Sequence, residues 1–359
     1  MGKTRKASHR GRRRPGVKAP AKMSLEQMLD AAQDELDQFR LEEARQLLNR
    51  ALELQPDSVR ALEMSAGLLL DIGEMEAARA CLQRAVQLRP DGSATCYLSL
   101  AQLLHGREAA DCYSKAVQLL SAAAATGESS SAGADGPGPA RQLSSAHCAL
   151  ADLYMTDLCD EPDAEQCCRQ HLERALDADP ANPEAHQTQA GFLLVKGEAE
   201  AARAALRRST DLWLPAYQAA RAGGAAAADP LELCPLSYDL RLTAARALIE
   251  CREWETATQV LDGLAEEDDQ VVDTWYLLGW RRSRRAASGG RRRGLHLERA
   301  RQAAEQQPDQ RDPAIDEHVR RMLEELGPAP PGEDDEEDGD GEDEWTDDEE
   351  DMEVANGDG

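Results

Sequence analysis

The sequence predicts an all-α solenoid of stacked helix pairs, with a disordered basic N-terminal arm and a disordered acidic C-terminal tail. Three observations predict it. Ala51-Leu-Glu-Leu-Gln-Pro56, Ala85-Val-Gln-Leu-Arg-Pro90 and Ala175-Leu-Asp-Ala-Asp-Pro180 share one form, and Pro56 and Pro90 lie 34 residues apart. Hydrophobic residues make up 41% of the chain but aromatics only 4%, which suits small aliphatic helix interfaces better than a β-sandwich. Charge is segregated. Residues 1–22 hold nine of the 41 cations and no acid, and residues 333–359 hold 17 of the 68 acids and no Lys or Arg. The middle keeps 32 cations against 51 acids, a balance of −19 within a total of −27.

The period and pattern resemble the tetratricopeptide repeat (TPR), a 34-residue antiparallel helix pair, with small residues at positions 8 and 20 and larger ones at 4, 7, 11 and 24. Numbering from Leu25 gives Ala32, Ala44, Leu48, Ala51 and Pro56; from Val59, Ala66, Leu69, Gly73, Ala78, Leu82, Ala85 and Pro90. From Pro183 come Ala190, Leu193, Gly197, Ala202 and Leu206, and from Tyr238 come Ala245, Leu248, Ala257 and Leu261. From Val272, Trp275, Leu278 and Gly279 match. Cys96–Val117 reads as a unit with a shortened turn. His147–Pro180 reads as one with an enlarged acidic turn, Met155–Glu165.

The predicted organisation is therefore a basic arm (1–22), repeats 1–3 (23–120), a flexible linker (121–140) and repeats 4–5 (141–214). An Ala-rich insert (215–236), repeats 6–7 with a capping helix at Asp312–Leu326 (237–326) and the acidic tail (327–359) follow. The Arg cluster Arg281, Arg282, Arg284, Arg285 and Arg291–Arg293 interrupts the last repeat and puts its second helix in doubt.

Composition excludes several classes. No run reaches the roughly 18 apolar residues of a membrane span, and the basic N-terminus is not followed by an apolar stretch. The acidic balance argues against binding DNA directly and favours a basic partner. Nine cysteines without a CxxC pair do not read as a disulfide framework. No phosphate loop, G-x-S-x-G or H-E-x-x-H occurs, so no catalysis and no cofactor are expected. His147, Cys148, Cys159, Cys167, Cys168 and His171 match no structural zinc spacing, and Cys148 and Cys168, which sit where repeats want small apolar residues, read as buried structural thiols.

In the TPR resemblance, positions 2, 5, 9 and 12–13 face an inner groove. Here these include Glu26, Gln33, Asp37, Glu63, Asp71, Tyr97, Asp152, Met155, Glu184, Asp239 and Glu250, with Arg60 and Arg246 the cations. The groove is expected to be acidic and to hold a basic segment. It lacks the Lys, Arg and Asn of groove sites that hold chaperone C-terminal carboxylates. Arg10, Arg12, Arg13 and Arg14 look like a nuclear localisation signal, implying residence in cytoplasm and nucleus and possible use of an import receptor.

Residues 20–326 and the acidic tail together resemble the assembly chaperones of the large-subunit ribosomal protein L-four. The resemblance is carried by Ala151–Glu165, Leu25-Glu-Gln-Met28, Ser237-Tyr-Asp-Leu-Arg241 and Trp275-Tyr-Leu-Leu-Gly279. It implies a repeat array that binds a newly made basic ribosomal protein through its long internal loop, keeps it soluble and accompanies it to the nucleus. The client-binding residues expected are Glu26, Asp37, Glu63, Asp71, Tyr97, Asp152, Met155, Asp157, Asp160 and Glu161, with Asp163 beside them. Two other readings stand beside this one: a general TPR interaction scaffold, and an acidic histone-type chaperone in which the tail dominates.

Overall fold

A computed structural model describes residues 23–126, 138–223, 229–281, 290–307 and 312–326, and among them every regular element is helical. The basic arm, the acidic tail and the side chains of the Arg281–Arg293 cluster lie outside the described residues. The chain divides into two compact units, Met1–Leu264 and Ala265–Gly359.

The first unit opens with three antiparallel pairs: α1 (Leu25–Leu36) on α2 (Leu41–Leu54), α3 (Val59–Asp71) on α4 (Met75–Leu88), and α5 (Ala94–Gln102) on α6 (Gly106–Thr126). Then come α7 (Pro139–Met155) on α8 (Ala164–Ala178) and α9 (Pro183–Val195) on α10 (Ala199–Asp211), followed by α11 (Leu214–Ala222), α12 (Pro230–Leu233), α13 (Tyr238–Glu250) and α14 (Trp254–Glu267). Each pair meets through alanine. Ala32 and Ala44, Ala66 and Ala78, Ala190 and Ala202, and Ala245 and Ala257 are buried at positions 8 and 20, with leucines such as Leu29, Leu48, Leu206 and Leu261 filling between them. Small side chains let the helix axes approach, and the larger ones restore native packing density.

The first helices α1, α3, α9 and α13 start on side-chain caps. Ser24 and Gln27 form a capping box, and Ser58, Asn182 and Ser237 accept from N–H groups of the next turn. They end in one recurring device at position 15. Gly73 (φ 79°) and Gly197 (φ 76°) are left-handed, and so are Phe39 (φ 55°) and Arg252 (φ 63°) at the same position of their repeats. The following N–H then closes back on the helix, Glu74 to Leu69 at 2.8 Å and Arg40 to Glu35 at 2.9 Å. The second helix departs from there.

In the second unit α15 (Val272–Arg281) packs on α16 (Gly290–Gln306), and α17 (Pro313–Leu326) packs on α16. Leu297, Ala300, Ala303 and Ala304 bury one face of α16, and Val319 and Met322 seat α17.

Three expectations need correction. The linker reading of 121–140 holds neither end. α6 continues to Thr126 because Ala122–Ala125 are strong helix formers, and α7 begins at Pro139, a residue suited to the first helical position. The fourth repeat starts at Pro139 rather than His147, because counting 34 residues back from Pro180 leaves no room for its enlarged turn. Leu214–Ala222, running into the Ala-rich insert, is helix, anchored by buried Trp213, Leu214 and Tyr217. The second helix of the last repeat is present as α16, because the apolar spacing resumes at Leu297 beyond the interruption.

Candidate client-binding surface

First helices of successive repeats lie side by side and are tied together through side chains. On α3, Arg60 pairs with Glu26 and Asp30 of α1, both at 2.9 Å. Cys96 of α5 donates its thiol to Glu63 Oε1 of α3 at 3.2 Å. Ser145 of α7 donates to Glu184 of α9, and Gln187 Nε2 of α9 donates to the Leu240 carbonyl of α13 at 2.8 Å. Two rows result, α1–α3–α5 and α7–α9–α13, and both carry acids.

In the first row Glu26 is exposed yet engaged by Arg60. Asp37, at the end of α1, is exposed and accepts Gln33 Nε2 at 2.8 Å, and Asp71 is exposed at the end of α3. Glu63 is half-buried, and with burial as the main cause it helps push the Cys96 thiol up to about 12. Tyr97 is half-buried and donates its hydroxyl to the Pro90 carbonyl at 2.9 Å.

The second row carries the perturbed groups. Asp152, on the last turn of α7, has its carboxyl raised by loss of hydration and then by repulsion from Asp157. By area it is exposed. Glu184 is raised by burial, held back by the Ser145 hydroxyl and by Asn182. Tyr113, on α6, is raised by burial and then by Glu184 and Asp152. Met155 is half-buried against Ala151, Cys168, Leu172 and Phe192.

The enlarged turn spans Thr156–Asp163, between the end of α7 and the start of α8. Asp160 and Asp163 are exposed there. Asp157 Oδ2 accepts the Gly106 N–H at 2.8 Å, and Glu161 pairs with Arg107. The structure thus draws Asp152 and Asp157 close enough to repel, and leaves Asp37 and Asp71 apart from the other carboxylates in hydrogen bonding. Sequence reasoning missed Asp30 and Tyr113. Asp30 sits at position 6, outside the positions inspected, and Tyr113 lies on a second helix.

His147 and His171 face each other, while Cys148 packs with Ala175 and Ala185, and Cys168 with Leu172 and Phe192.

Stacked helix pairs, a left-handed position 15 and an alanine seam define a tetratricopeptide-repeat protein, and the tetratricopeptide repeat family model matches residues 35–103. The solved structure of the assembly chaperone of RpL4 (Acl4), residues 1–338, superposes with a TM-score of 0.61 and is 30% identical, covering 73% of this chain and 96% of that one. The chain belongs to the family of assembly chaperones of RpL4. A probable assembly chaperone of rpl4 from Schizosaccharomyces pombe is 38% identical over 140 residues, 39% of this chain and 38% of that protein. One from Emericella nidulans is 35% identical over 122 residues, 33% of this chain and 28% of that protein. These two alignments therefore span less than half of either relative. The Cut9–Hcn1 structure, at 9% identity and TM-score 0.50, shares the fold alone.

Proposed function

We propose that this chain is a dedicated, non-enzymatic chaperone of ribosomal protein L4 (RpL4), binding the basic protein along its acidic first-helix rows and delivering it to nuclear ribosome assembly. The observation that carries this reading is the placement of Asp152 and Glu184 on adjacent helices with both carboxyls raised by lost hydration. A carboxylate short of hydration gains more from an incoming Lys or Arg than a fully solvated one does. Glu26, Asp37, Glu63, Asp71, Tyr97, Met155 and Asp160 extend the contact surface, with Asp157 and Glu161 at its turn. The free client is strongly cationic, so this surface stands in for RNA phosphate until RNA competes. The acidic tail raises the capture rate by steering. The Arg10, Arg12, Arg13 and Arg14 cluster serves import, through an import receptor.

The test uses the full chain and purified RpL4 in about 0.5 M salt, where exposed charge pairs are largely screened. Asp152→Lys is expected to weaken binding by at least about tenfold, roughly 1.4 kcal/mol. Replacing the acids of 333–359 with Asn and Gln is expected to slow association with little change in dissociation. Loss of affinity for every cationic protein in the tail variant, with Asp152→Lys silent, would favour the tail-driven reading instead. Changing Arg10 and Arg12–Arg14 to Ala is expected to abolish nuclear accumulation of a fluorescent fusion, and unchanged accumulation removes the signal.

A further inference from the structure

The enlarged turn between α7 and α8 grips α6, the second helix of the preceding pair, in three ways. Asp157 Oδ2 accepts the N–H of Gly106, the first residue of α6, at 2.8 Å. An acid at that position meets an otherwise unfilled backbone donor and the positive end of the helix. Glu161 pairs with Arg107, one residue further on. Between them Leu158 is buried, packing among Ala110, Tyr113 and Val117 of α6 and Leu150, Leu153 and Tyr154 of α7. The turn is itself braced by backbone bonds, Leu158 N–H to the Leu153 carbonyl at 2.9 Å and Ala164 N–H to the Glu161 carbonyl at 3.0 Å.

Elsewhere in the first unit a first-helix turn meets the preceding second helix through ion pairs of basic side chains, Lys196 with Glu165 of α8 at 2.6 Å among them. Arg45 pairs with Glu74 at 2.9 Å, and Arg203 and Arg207 pair with Glu253 at 3.3 and 2.7 Å. At the Arg45 and Lys196 junctions the connections between pairs are short: α2 ends at Leu54 and α3 begins at Val59, and α8 ends at Ala178 and α9 begins at Pro183; at the Glu253 junction α10 ends at Asp211 and α13 begins at Tyr238, with α11 and α12 between. At the gripped junction, by contrast, α6 ends at Thr126 and α7 begins only at Pro139. The grip thus falls at a connection longer than those two short ones, where no described helix lies between the pairs.

We infer that Asp157, Leu158 and Glu161 form a clasp that sets the register of the α5–α6 pair against the α7–α8 pair. The clasp joins the α1–α3–α5 row to the α7–α9–α13 row, so both act on one continuous cationic polypeptide. These are positioning residues, acting through the alignment of Glu63, Tyr97, Asp152 and Glu184. The choice of RpL4 as that polypeptide rests on the proposed function; the clasp does not.

Two measurements on the full chain test this. In the first, a site-specific protease sequence replaces part of 127–137, and the cut chain is followed on dilution by size-exclusion chromatography. The cut parent is expected to stay joined, and cut Leu158→Ala/Arg107→Gln to separate at a concentration at least about tenfold higher. Immediate separation of the cut parent, or equal persistence of both, overturns the clasp. In the second, the uncut Leu158→Ala/Arg107→Gln chain is titrated with RpL4. This variant keeps every acid and loses one cation, so contact electrostatics alone gives equal or tighter binding, whereas lost register gives binding at least about tenfold weaker. Equal or tighter binding overturns the positioning role. Asp157→Asn, which leaves Leu158 in place, is expected to move the cut-chain readout in the same direction by a smaller factor, and guards against misfolding of the double variant. If the parent chain does not bind RpL4, the partner reading falls while the cut-chain comparison still decides the clasp.

Discussion

His147 and His171 meet Nδ1 to Nδ1 at 3.0 Å across the α7–α8 pair. One ring must donate and the other accept, so the contact exists only while at least one of them is neutral. Burial is the first cause that pushes each imidazole down to about 4. His171 and then Arg174 add to it for His147, and Arg174 adds to it for His171. Tyr154 stacks on His171 with ring centroids 5.9 Å apart, so the pair is also part of the packing near the turn.

Folded pKa values of about 4 against an ordinary 6.5 mean that the unfolded chain binds more protons between those limits. The contribution is therefore whole above about pH 6.5 and drains away as pH falls toward 4, by on the order of a few kcal/mol. Thermal melts at pH 7 and pH 4.5 are expected to differ more for the parent chain than for His171→Phe. Asp152 and Glu184, whose folded carboxyls are raised, act in the opposite sense: protonation relieves them, so they favour the fold as pH falls. An equal pH dependence in parent and variant would remove the histidine pair as its source.

Three helical glycines are expected to behave differently on substitution by alanine. A Cβ on Gly263 would come within 2.8 Å of Tyr217 Oη, and one on Gly279 within 2.6 Å of Leu297 Cδ2. Both substitutions overpack and should cost about 1–3 kcal/mol in denaturant unfolding. Gly67, within α3, has nothing within 4 Å of the added atom, so Gly67→Ala should stabilise by about 0.5–1 kcal/mol.

Phe39 is 88% exposed with φ 55°, so its side chain gives the fold little in return for the strained backbone. Phe39→Gly is expected to raise stability by about 1 kcal/mol, with the reverse sign for Gly73→Ala at the equivalent position. A lower denaturation midpoint for Phe39→Gly would show that the ring contributes more than its exposure implies.

Asn182 is 1% exposed, caps α9 through the Glu184 N–H at 3.1 Å, and donates to Ser144 Oγ on α7 at 2.9 Å. Asn182→Ala removes a cap and strands a buried hydroxyl, for a loss of about 2–3 kcal/mol. Asn182→Asp keeps the cap but not the donor, and should fall between alanine and the parent chain.

The repeat array was legible because its determinants are local and periodic. Ala32, Ala66, Ala190 and Ala245 report position 8 directly, whatever surrounds them. The left-handed turns were legible only where glycine marks them, at Gly73 and Gly197. Phe39 and Arg252 adopt the same φ because the helices on either side impose it, which no residue preference announces. The acids of the enlarged turn were legible as charge but not as partners. Capping of Gly106 by Asp157 depends on a helix start 51 residues earlier in the chain, a separation that no periodic pattern encodes. The pairing of Arg60 with Glu26 could have been found, since both occupy position 2 of successive repeats, 34 residues apart.

The thiols divide by depth in a way that bears on oxidative chemistry and on labelling. Burial pushes Cys96 and Cys168 up to about 12 and raises Cys148 further, so at neutral pH these sulfurs hold almost no thiolate and resist alkylation and peroxide alike. Cys159 is exposed in the turn that grips α6. A fluorophore attached there under mild conditions would ride on that turn, converting its release from α6 into an optical signal.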